Sequence, residues 1–517
     1  MNRPSRRAVL VATTLALLTL ALPRAVSVRA DTPAPASVVF AHINDVYEVD
    51  AIEGGAFGGL SRVATLLDRL RRTGTPVVAT LGGDFLSPSA IGTARLNGEL
   101  VAGRQMVEVL NSIGLQWATL GNHEFDLSES AFLARLSEAK FKTIVSNVTD
   151  ASGRLFPGTV DSAVVVLKSN GRTLRIGLFG LCTDFNKKPW VRYQAPIDVA
   201  QARVAAFRGK VDAIVALTHL PLQDDQALVE AVPAIDLVLG GHEHENWYLR
   251  RGASFAPIVK ADANARSVAV VSMNFPSSTA RPTVSVRFDL VDRRVPMQAR
   301  TQALVRRWMD AGFDAFRRDG FSPETIVVSV PMALDGREQV VRRRPGDLTT
   351  LVAEALKRET GADVGVLNGG SIRIDDVLQA GPVRQYDIIR VVPFGGRVLK
   401  VTIEGALLSR VFDAGVQNLG VGGYLHLAGA ERQDSTWVVN GRPIDPAARY
   451  TIGVPEFLMT GGESRLDFLT RTSPQIVSVE DFRDIRVVIM DELRTRFGKA
   501  SRLFGDRLKG TPSLARH

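Results

Sequence analysis

In Ile235-Asp236-Leu237-Val238-Leu239-Gly240-Gly241-His242-Glu243-His244 a short apolar run stops at two glycines and two histidines. The same event recurs upstream. Ser37–Ile43 stops at Asn44-Asp45, Pro76–Leu81 at Gly82-Gly83-Asp84, Trp117–Leu120 at Gly121-Asn122-His123, and Val211–Leu217 at Thr218-His219. Short apolar runs rich in β-branched residues and closed by turn formers are candidates for buried strands. Helical patterns such as Leu60–Arg72 and Gly103–Ser112 lie between them. This alternation implies an α/β domain with largely parallel pairing. In such sheets the carboxyl ends of the strands collect functional groups, so the polar ends are expected to share one sheet and one space.

Four of the seven histidines (His123, His219, His242, His244) stand at these ends, with Asp45, Asp84 and Asn122 at equivalent places. A lone histidine is usually a hydrogen-bonded structural residue, so it is the joint pattern that points to chemistry. Carboxylate, imidazole and one amide oxygen, without thiolate, suit Zn, Mn or Fe at a catalytic two-metal site. An aspartate can bridge two cations because its carboxylate has two oxygens. The cations lower the pKa of a shared water and neutralise charge on a phosphoryl oxygen. The single cysteine, Cys182, follows the apolar run Ile176–Leu181 and reads as a small buried hydrophobe. His42 and His426 lie off the pattern, and His42 reads as structural.

The first domain is read as residues 36–295, with its last strands between Ala269 and Val291. Gln298–Arg318 has helical composition, with Leu304, Trp308, Phe313 and Phe316 as apolar points. It predicts a connecting helix within 296–321. The linker is not low-complexity, so a defined hinge is expected rather than a loose tether. A second α/β domain follows over 322–510, marked by the helix Thr349–Thr360, the strand and turn Val364–Gly370, the strand Val398–Ile403 and the helix Ala406–Ala414.

The 517 residues, 45% hydrophobic and 23% charged, suit two or more globular domains. The formal charge of +9 includes five arginines in residues 1–30, a segment with no acid, which leaves 58 basic against 54 acidic residues. That balance is too mild to indicate a nucleic-acid polymer as partner. Residues 1–30 read as an export signal: Arg3, Arg6 and Arg7, an apolar Ala8–Leu22 too short for a membrane span, then Val28-Arg29-Ala30 as a cleavage site before Asp31. Ser5-Arg6-Arg7-Ala8-Val9-Leu10 resembles a twin-arginine signal, while two arginines equally suit a Sec leader. Either route implies a periplasmic or extracellular protein with no membrane span after cleavage.

The motifs Asn44-Asp45, Gly83-Asp84, Gly121-Asn122-His123-Glu124-Phe125-Asp126, Thr218-His219 and Gly240-Gly241-His242-Glu243-His244 resemble those of the 5′-nucleotidases and UDP-sugar hydrolases, a two-domain branch of the calcineurin-like metallophosphoesterases. Asn368-Gly369-Gly370-Ser371-Ile372-Arg373, Pro393-Phe394-Gly395 and Phe457 through Gly461-Gly462-Glu463 continue the resemblance, which covers nearly the whole chain after the leader. It implies an N-terminal metallophosphoesterase β-sandwich flanked by helices, and a C-terminal α/β domain that grips a nucleotide. It further implies that Asp84 bridges two divalent metal ions. Asp45 and His244 would serve the first, and Asn122, His219 and His242 the second. His123 and Asp126 match the family's catalytic dyad, Asn368 and Arg373 its substrate-binding positions, and Phe394 and Phe457 the aromatics that sandwich a base.

Two positions depart from the family. Asp45-Val46-Tyr47 stands where Asp-x-His is usual, so one imidazole is missing. Tyr47 could coordinate as a phenolate, favouring ferric iron; water or Glu48 could fill the position; or Tyr47 could be a packing residue, the reading preferred from sequence. Glu463 stands where Asp is common near the ribose. Arg342-Arg343-Arg344 falls where relatives place phosphate-binding arginine, and a solvated basic face suits some of the three at least as well. The reaction expected is phosphate removal from nucleotides by metal-bound hydroxide. UDP-sugar hydrolysis, 2′,3′-cyclic nucleotide hydrolysis, thiosulfate-ester hydrolysis and a metal-poor nucleotide-binding module are the competing readings.

Overall fold

The computed structural model describes residues 35–277 and 280–509. The export signal read in residues 1–30 lies outside them.

The polar strand ends come from two sheets, not one. The first sheet has seven strands in the order Thr159–Val160, Lys142–Ile144, Trp117–Ala118, Val77–Leu81, Ala36–Ile43, Ser267–Phe275 and Thr283–Leu290. The second has six, in the order Ser162–Ser169, Arg172–Cys182, Ala213–His219, Leu237–Gly240, Ala256–Lys260 and Trp247–Arg251. Neighbouring strands that carry the polar ends pair in parallel within each sheet. The two sheets form the β-sandwich that the family resemblance implies; the strand ends alone do not tell it from a single sheet, for a physical reason. A strand buried on both faces shows the same continuous apolar run whether its second face meets a helix or another sheet.

Alternation along each strand decides what it faces. Val38 and Phe40 join Leu178, Val215 and Leu239 in a buried layer between the sheets. Ala41 and Ile43 point the other way, into a cluster with Leu60, Val63 and Leu67 of the helix Leu60–Arg71 and Met106 and Leu110 of the helix Arg104–Ile113. On the far side of the second sheet, Leu181 and Ile258 pack with Val199 and Leu228 of the helices Pro196–Phe207 and Leu222–Ala231. The first domain is therefore a β-sandwich with helices on both outer faces.

The connecting helix runs Ala299–Arg318. It lies along the first domain: Gln302 accepts from Ser61 Oγ at 2.7 Å, Trp308 donates to Glu108 at 2.8 Å, and a side chain at Gly312 would strike Ile91 at 2.6 Å. Val305, Trp308 and Phe316 belong to its apolar layer. A hinge inside this helix is at odds with that packing, so any pivot has to lie after Arg318.

The second domain is built on a five-stranded sheet in the order Leu425–Ala428, Val364–Asn368, Arg449–Pro455, Arg397–Glu404 and Ile476–Asp484. The helices Asp347–Thr360 and Ile485–Lys509 cover one face, and Gly405–Gln417 the other. Register places three predicted contact residues at one edge. Val364–Asn368 and Arg449–Pro455 run parallel, and Val398 pairs with Pro455. Asn368, Phe394 just before Val398, and Phe457 just after Pro455 thus gather at the same end of the sheet. Among the described residues no helix is long and apolar enough to cross a membrane.

Candidate active site

The candidate ligands sit on sharp turns at the strand ends. Asp45, Asp84, His242 and His244 all have positive φ, at 52°, 54°, 87° and 60°. Non-glycine residues seldom adopt this region, and such strain clusters at functional sites. Two glycines let the turns close on one another. A Cβ at Gly121 would lie 2.1 Å from Asp84 Oδ1, and one at Gly241 would lie 2.3 Å from the Gly82 carbonyl.

Glu124 holds two of these turns from behind, a role its place in the Gly121–Asp126 motif did not reveal. Its buried carboxylate accepts from the backbone N–H groups of Asp84 at 2.9 Å, Phe85 at 2.7 Å, Leu86 at 3.0 Å and Gly121 at 2.5 Å. His42 ties the two sheets together beneath the site. Its Nδ1 meets Thr80 Oγ1 at 3.0 Å and its Nε2 the Gly240 carbonyl at 2.9 Å. Burial lowers its pKa to about 4, so it is neutral and structural.

Asp45, Asp84 and His219 are buried and offer ligand atoms within 4.8 Å of one another. His219 Nδ1 meets the Gly82 carbonyl at 2.7 Å, which turns Nε2 to within 3.2 Å of Asp84 Oδ2 and 3.9 Å of Asp45 Oδ1. Among the described residues that Nε2 finds no hydrogen-bond partner, and neither does the buried Oδ1 of Asn122. An orphaned imidazole nitrogen and amide oxygen beside two carboxylates fit the donor set of a cation site. Electrostatics agree. Burial opposes protonation of His219, but Asp84 and Asp45 outweigh it and raise its pKa to about 10. A cluster that holds a proton so firmly attracts cations in general, and a metal ion would displace that proton.

His244 Nε2 lies 3.2 Å from Asp45 Oδ1, and the backbone N–H of His242 donates to Asp45 Oδ2 at 2.9 Å. The hydroxyl of Tyr47 points into this group, buried beneath the surface. The ring itself is buried and packs against His244, with 5.5 Å between ring centroids.

His123 Nδ1 lies 2.8 Å from Asp126 Oδ2. Ser87 Oγ donates to the same oxygen at 3.0 Å, and Asn186 Nδ2 to Oδ1 at 2.8 Å. Burial pushes the Asp126 carboxyl up, but His123 and Arg373 prevail and hold it at about 2. Arg373 comes from the second domain, and its Nη1 reaches His123 Nε2 at 3.4 Å. Arg342 lines the same small seat as Tyr47, His123, His244 and Arg373, whereas Arg343 and Arg344 are exposed. Only one of the three arginines therefore joins the site.

A wider cleft of about 890 Å³ begins beside Ser87 and Asp126 and runs past Phe394. Phe394 and Phe457 are 57% and 48% exposed, although large apolar rings are ordinarily covered. Asn368 Nδ2 donates to Glu463 Oε2 at 2.7 Å, so the longer acid at this position is tied to the strand end. Besides Glu124, sequence reasoning missed Glu338 and Asp375, which enter the seat from the second domain. They lie in the stretches flanking Arg342 and Arg373, and no local signal distinguishes them.

Residues 38–246 match the family described as calcineurin-like phosphoesterase, and residues 326–471 the family described as 5′-nucleotidase, C-terminal domain. The chain is 26% identical over 394 residues to the uncharacterized metallophosphoesterase YunD of Bacillus subtilis, covering 70% of this chain and 81% of that protein. It is 25% identical over 464 residues to a 5′-nucleotidase of Vibrio cholerae, covering 78% and 81%. The fold is similar to that of a 5′-nucleotidase precursor from Thermus thermophilus, with a TM-score of 0.74 at 22% identity over 89% of this chain and 96% of that one.

Proposed function

The chain belongs to the calcineurin-like metallophosphoesterases that carry a C-terminal 5′-nucleotidase domain, a family of phosphoric ester hydrolases, and we propose that it is an exported enzyme removing phosphate from nucleotides at a two-metal centre. Asp84 would bridge the metals, with Asp45 and His244 serving one and Asn122, His219 and His242 the other. When bound, the metal pair supplies an activated water and neutralises phosphoryl charge. Zn, Mn or an Fe/Zn pair suits these donors.

The observation that carries this reading is the contact of Arg373 with His123. It brings the anion-binding arginine of one domain to the imidazole of the other, where a phosphoryl group would be gripped between them. Asp126 orients the His123 ring so that Nε2 faces the seat; once a phosphoryl group parts it from the Arg373 donor, a protonated Nε2 is placed to give its proton to the leaving alkoxide. Phe394 and Phe457 offer faces for a base at a sheet edge beyond the seat, and stacking on aromatic rings tolerates any base. Remote binding of the base would position the phosphate for attack. The leader read in residues 1–30 supports export.

The test is hydrolysis of AMP, UDP-glucose, 2′,3′-cyclic AMP and an aryl phosphate with Mn, Zn or Co supplied. A higher kcat/KM for AMP than for the aryl phosphate is expected. Equal rates on both would remove the nucleotide reading, and preference for another member of the panel would redirect it.

A further inference from the structure

The imidazole of His244 is held at its two ends by different domains. Nε2 faces Asp45 of the first domain, while Nδ1 lies 2.9 Å from Oδ2 of Asp375, in the second domain. Asp375 is itself fixed: its Oδ1 accepts from the backbone N–H of Glu338 at 2.8 Å. Its φ of 39° is the left-handed region that side chains seldom occupy. Glu338 Oε2 stands 3.5 Å from the same Nδ1, and Arg342 pairs with the other Glu338 oxygen at 2.5 Å. With Nδ1–H donated to Asp375, Nε2 turns its lone pair to the centre, where the Tyr47 hydroxyl meets it at 3.0 Å.

The next residue locks this arrangement in place. Asp376 is 1% exposed and buried between arginines of both domains. Oδ1 meets Arg266 Nη2 of the first domain at 3.1 Å, and Oδ2 meets Arg390 Nη2 of the second at 2.9 Å. Arg390 also reaches Glu48 at 3.2 Å, immediately after Tyr47 in the chain. Two consecutive carboxylates of the second domain thus dock into the first. One is satisfied by guanidinium groups of both domains, and the other ends on a candidate ligand.

We infer that Asp375 is a positioning residue for His244, so that retention of the metal served by Asp45 and His244 depends on how the second domain is seated. This rests on the two-metal reading above. A carboxylate on the far nitrogen of a ligating histidine fixes its tautomer and ring orientation, and its loss typically weakens metal binding roughly 10–100-fold. Here that carboxylate is supplied across a domain boundary. The substrate-facing domain is then part of the metal site, although it offers none of the six candidate ligands, Asp45, Asp84, Asn122, His219, His242 and His244.

The test is metal content of the full-length, manganese-loaded protein during chelator titration, read by elemental analysis. Wild type, Asp375→Ala and Asp375→Asn are compared. Asp375→Ala should release one of two equivalents at roughly 10–100-fold lower chelator concentration and keep the other as wild type does. Asp375→Asn should recover much of the loss, because an amide oxygen still accepts from Nδ1–H. If the alanine variant does not fold, Asp375→Ser carries the same expectation. Unchanged retention in Asp375→Ala would overturn the inference. So would parallel loss of both equivalents in the alanine and asparagine variants, which marks a merely structural role. Wild type binding no metal would instead sink the two-metal reading, and this inference with it.

Discussion

The hydroxyl of Tyr47 lies 3.0 Å from Nε2 of His244, and the same oxygen is 3.4 Å from carboxylate oxygens of both Asp45 and Asp84. A phenol amid three candidate donor groups is placed to join them on a cation. Iron-loaded protein should then show a visible phenolate-to-ferric charge-transfer band that disappears in Tyr47→Phe and is absent from zinc-loaded protein. Absence of the band from iron-loaded wild type would return Tyr47 to a packing role.

His123→Ala should keep its metal and lose turnover by roughly 10²–10⁴-fold, the usual contribution of a positioned acid–base group. The motivation is the 2.8 Å contact with Asp126 beside the seat. Joint measurement of metal content and kcat decides it, since parallel loss of both would make His123 a ligand.

Asp126 makes stability depend on pH. Its carboxyl is lowered from 3.8 to about 2 in the folded chain. A depressed carboxyl stabilises the fold above its unfolded value, and the contribution is lost as pH falls through the folded value. Asp126 is solvent-accessible, so screening reduces the contribution to about 1 kcal/mol or less. The urea midpoint gap between wild type and Asp126→Asn should be widest near neutrality and narrow between about pH 4 and 2. A gap independent of pH would show that Asp126 acts through packing alone.

Phe394→Ala combined with Phe457→Ala should cost nucleotide recognition roughly 1–3 kcal/mol per lost stack. Hydrolysis of a small aryl phosphate, which has no base to hold, should change little. Comparing kcat/KM for AMP and the aryl phosphate separates the two effects. If both fall together, the rings support the fold and do not grip a base.

Lys260 is fully buried beneath the His242–His244 turn, where its ammonium pairs with Asp225 at 2.8 Å, donates to the Gly241 carbonyl at 2.8 Å and bonds Glu243. Lys260→Met strands the buried Asp225 carboxylate and the partly exposed Glu243; breaking a buried ion pair from one side costs about 3–5 kcal/mol. Adding Asp225→Asn and Glu243→Gln should restore much of the lost stability in thermal unfolding. No recovery in the triple variant would mean the cation is needed for its own contacts.

The strand-end motifs made the site legible because each is local: an apolar run, a turn former and a ligand type fall together within a few residues. The helix Leu60–Arg71 and the strand Arg397–Glu404 were equally clear from their own periodicity. The second sheet of the sandwich was legible only through the family resemblance, since Ala213–His219 shows the same unbroken burial that a single helix-covered sheet would give. Glu124 was visible as a letter in a motif but not as the acceptor of four backbone donors, because hydrogen bonds to turns leave no pattern. Asp375 and Lys260 act through partners distant in the chain. Only the closure of the fold brings them to the loops they support.

The clasp of helix Ala299–Arg318 along the first domain also dictates where this polypeptide can be divided. A first half ended near residue 295 would leave Leu60–Arg71 and Arg104–Ile113 without their cover and expose the surface that Val305, Trp308 and Phe316 bury. A truncation carried to Arg318 keeps that surface closed. For a split reporter, or for grafting another recognition domain onto this hydrolytic one, the junction therefore belongs after Arg318.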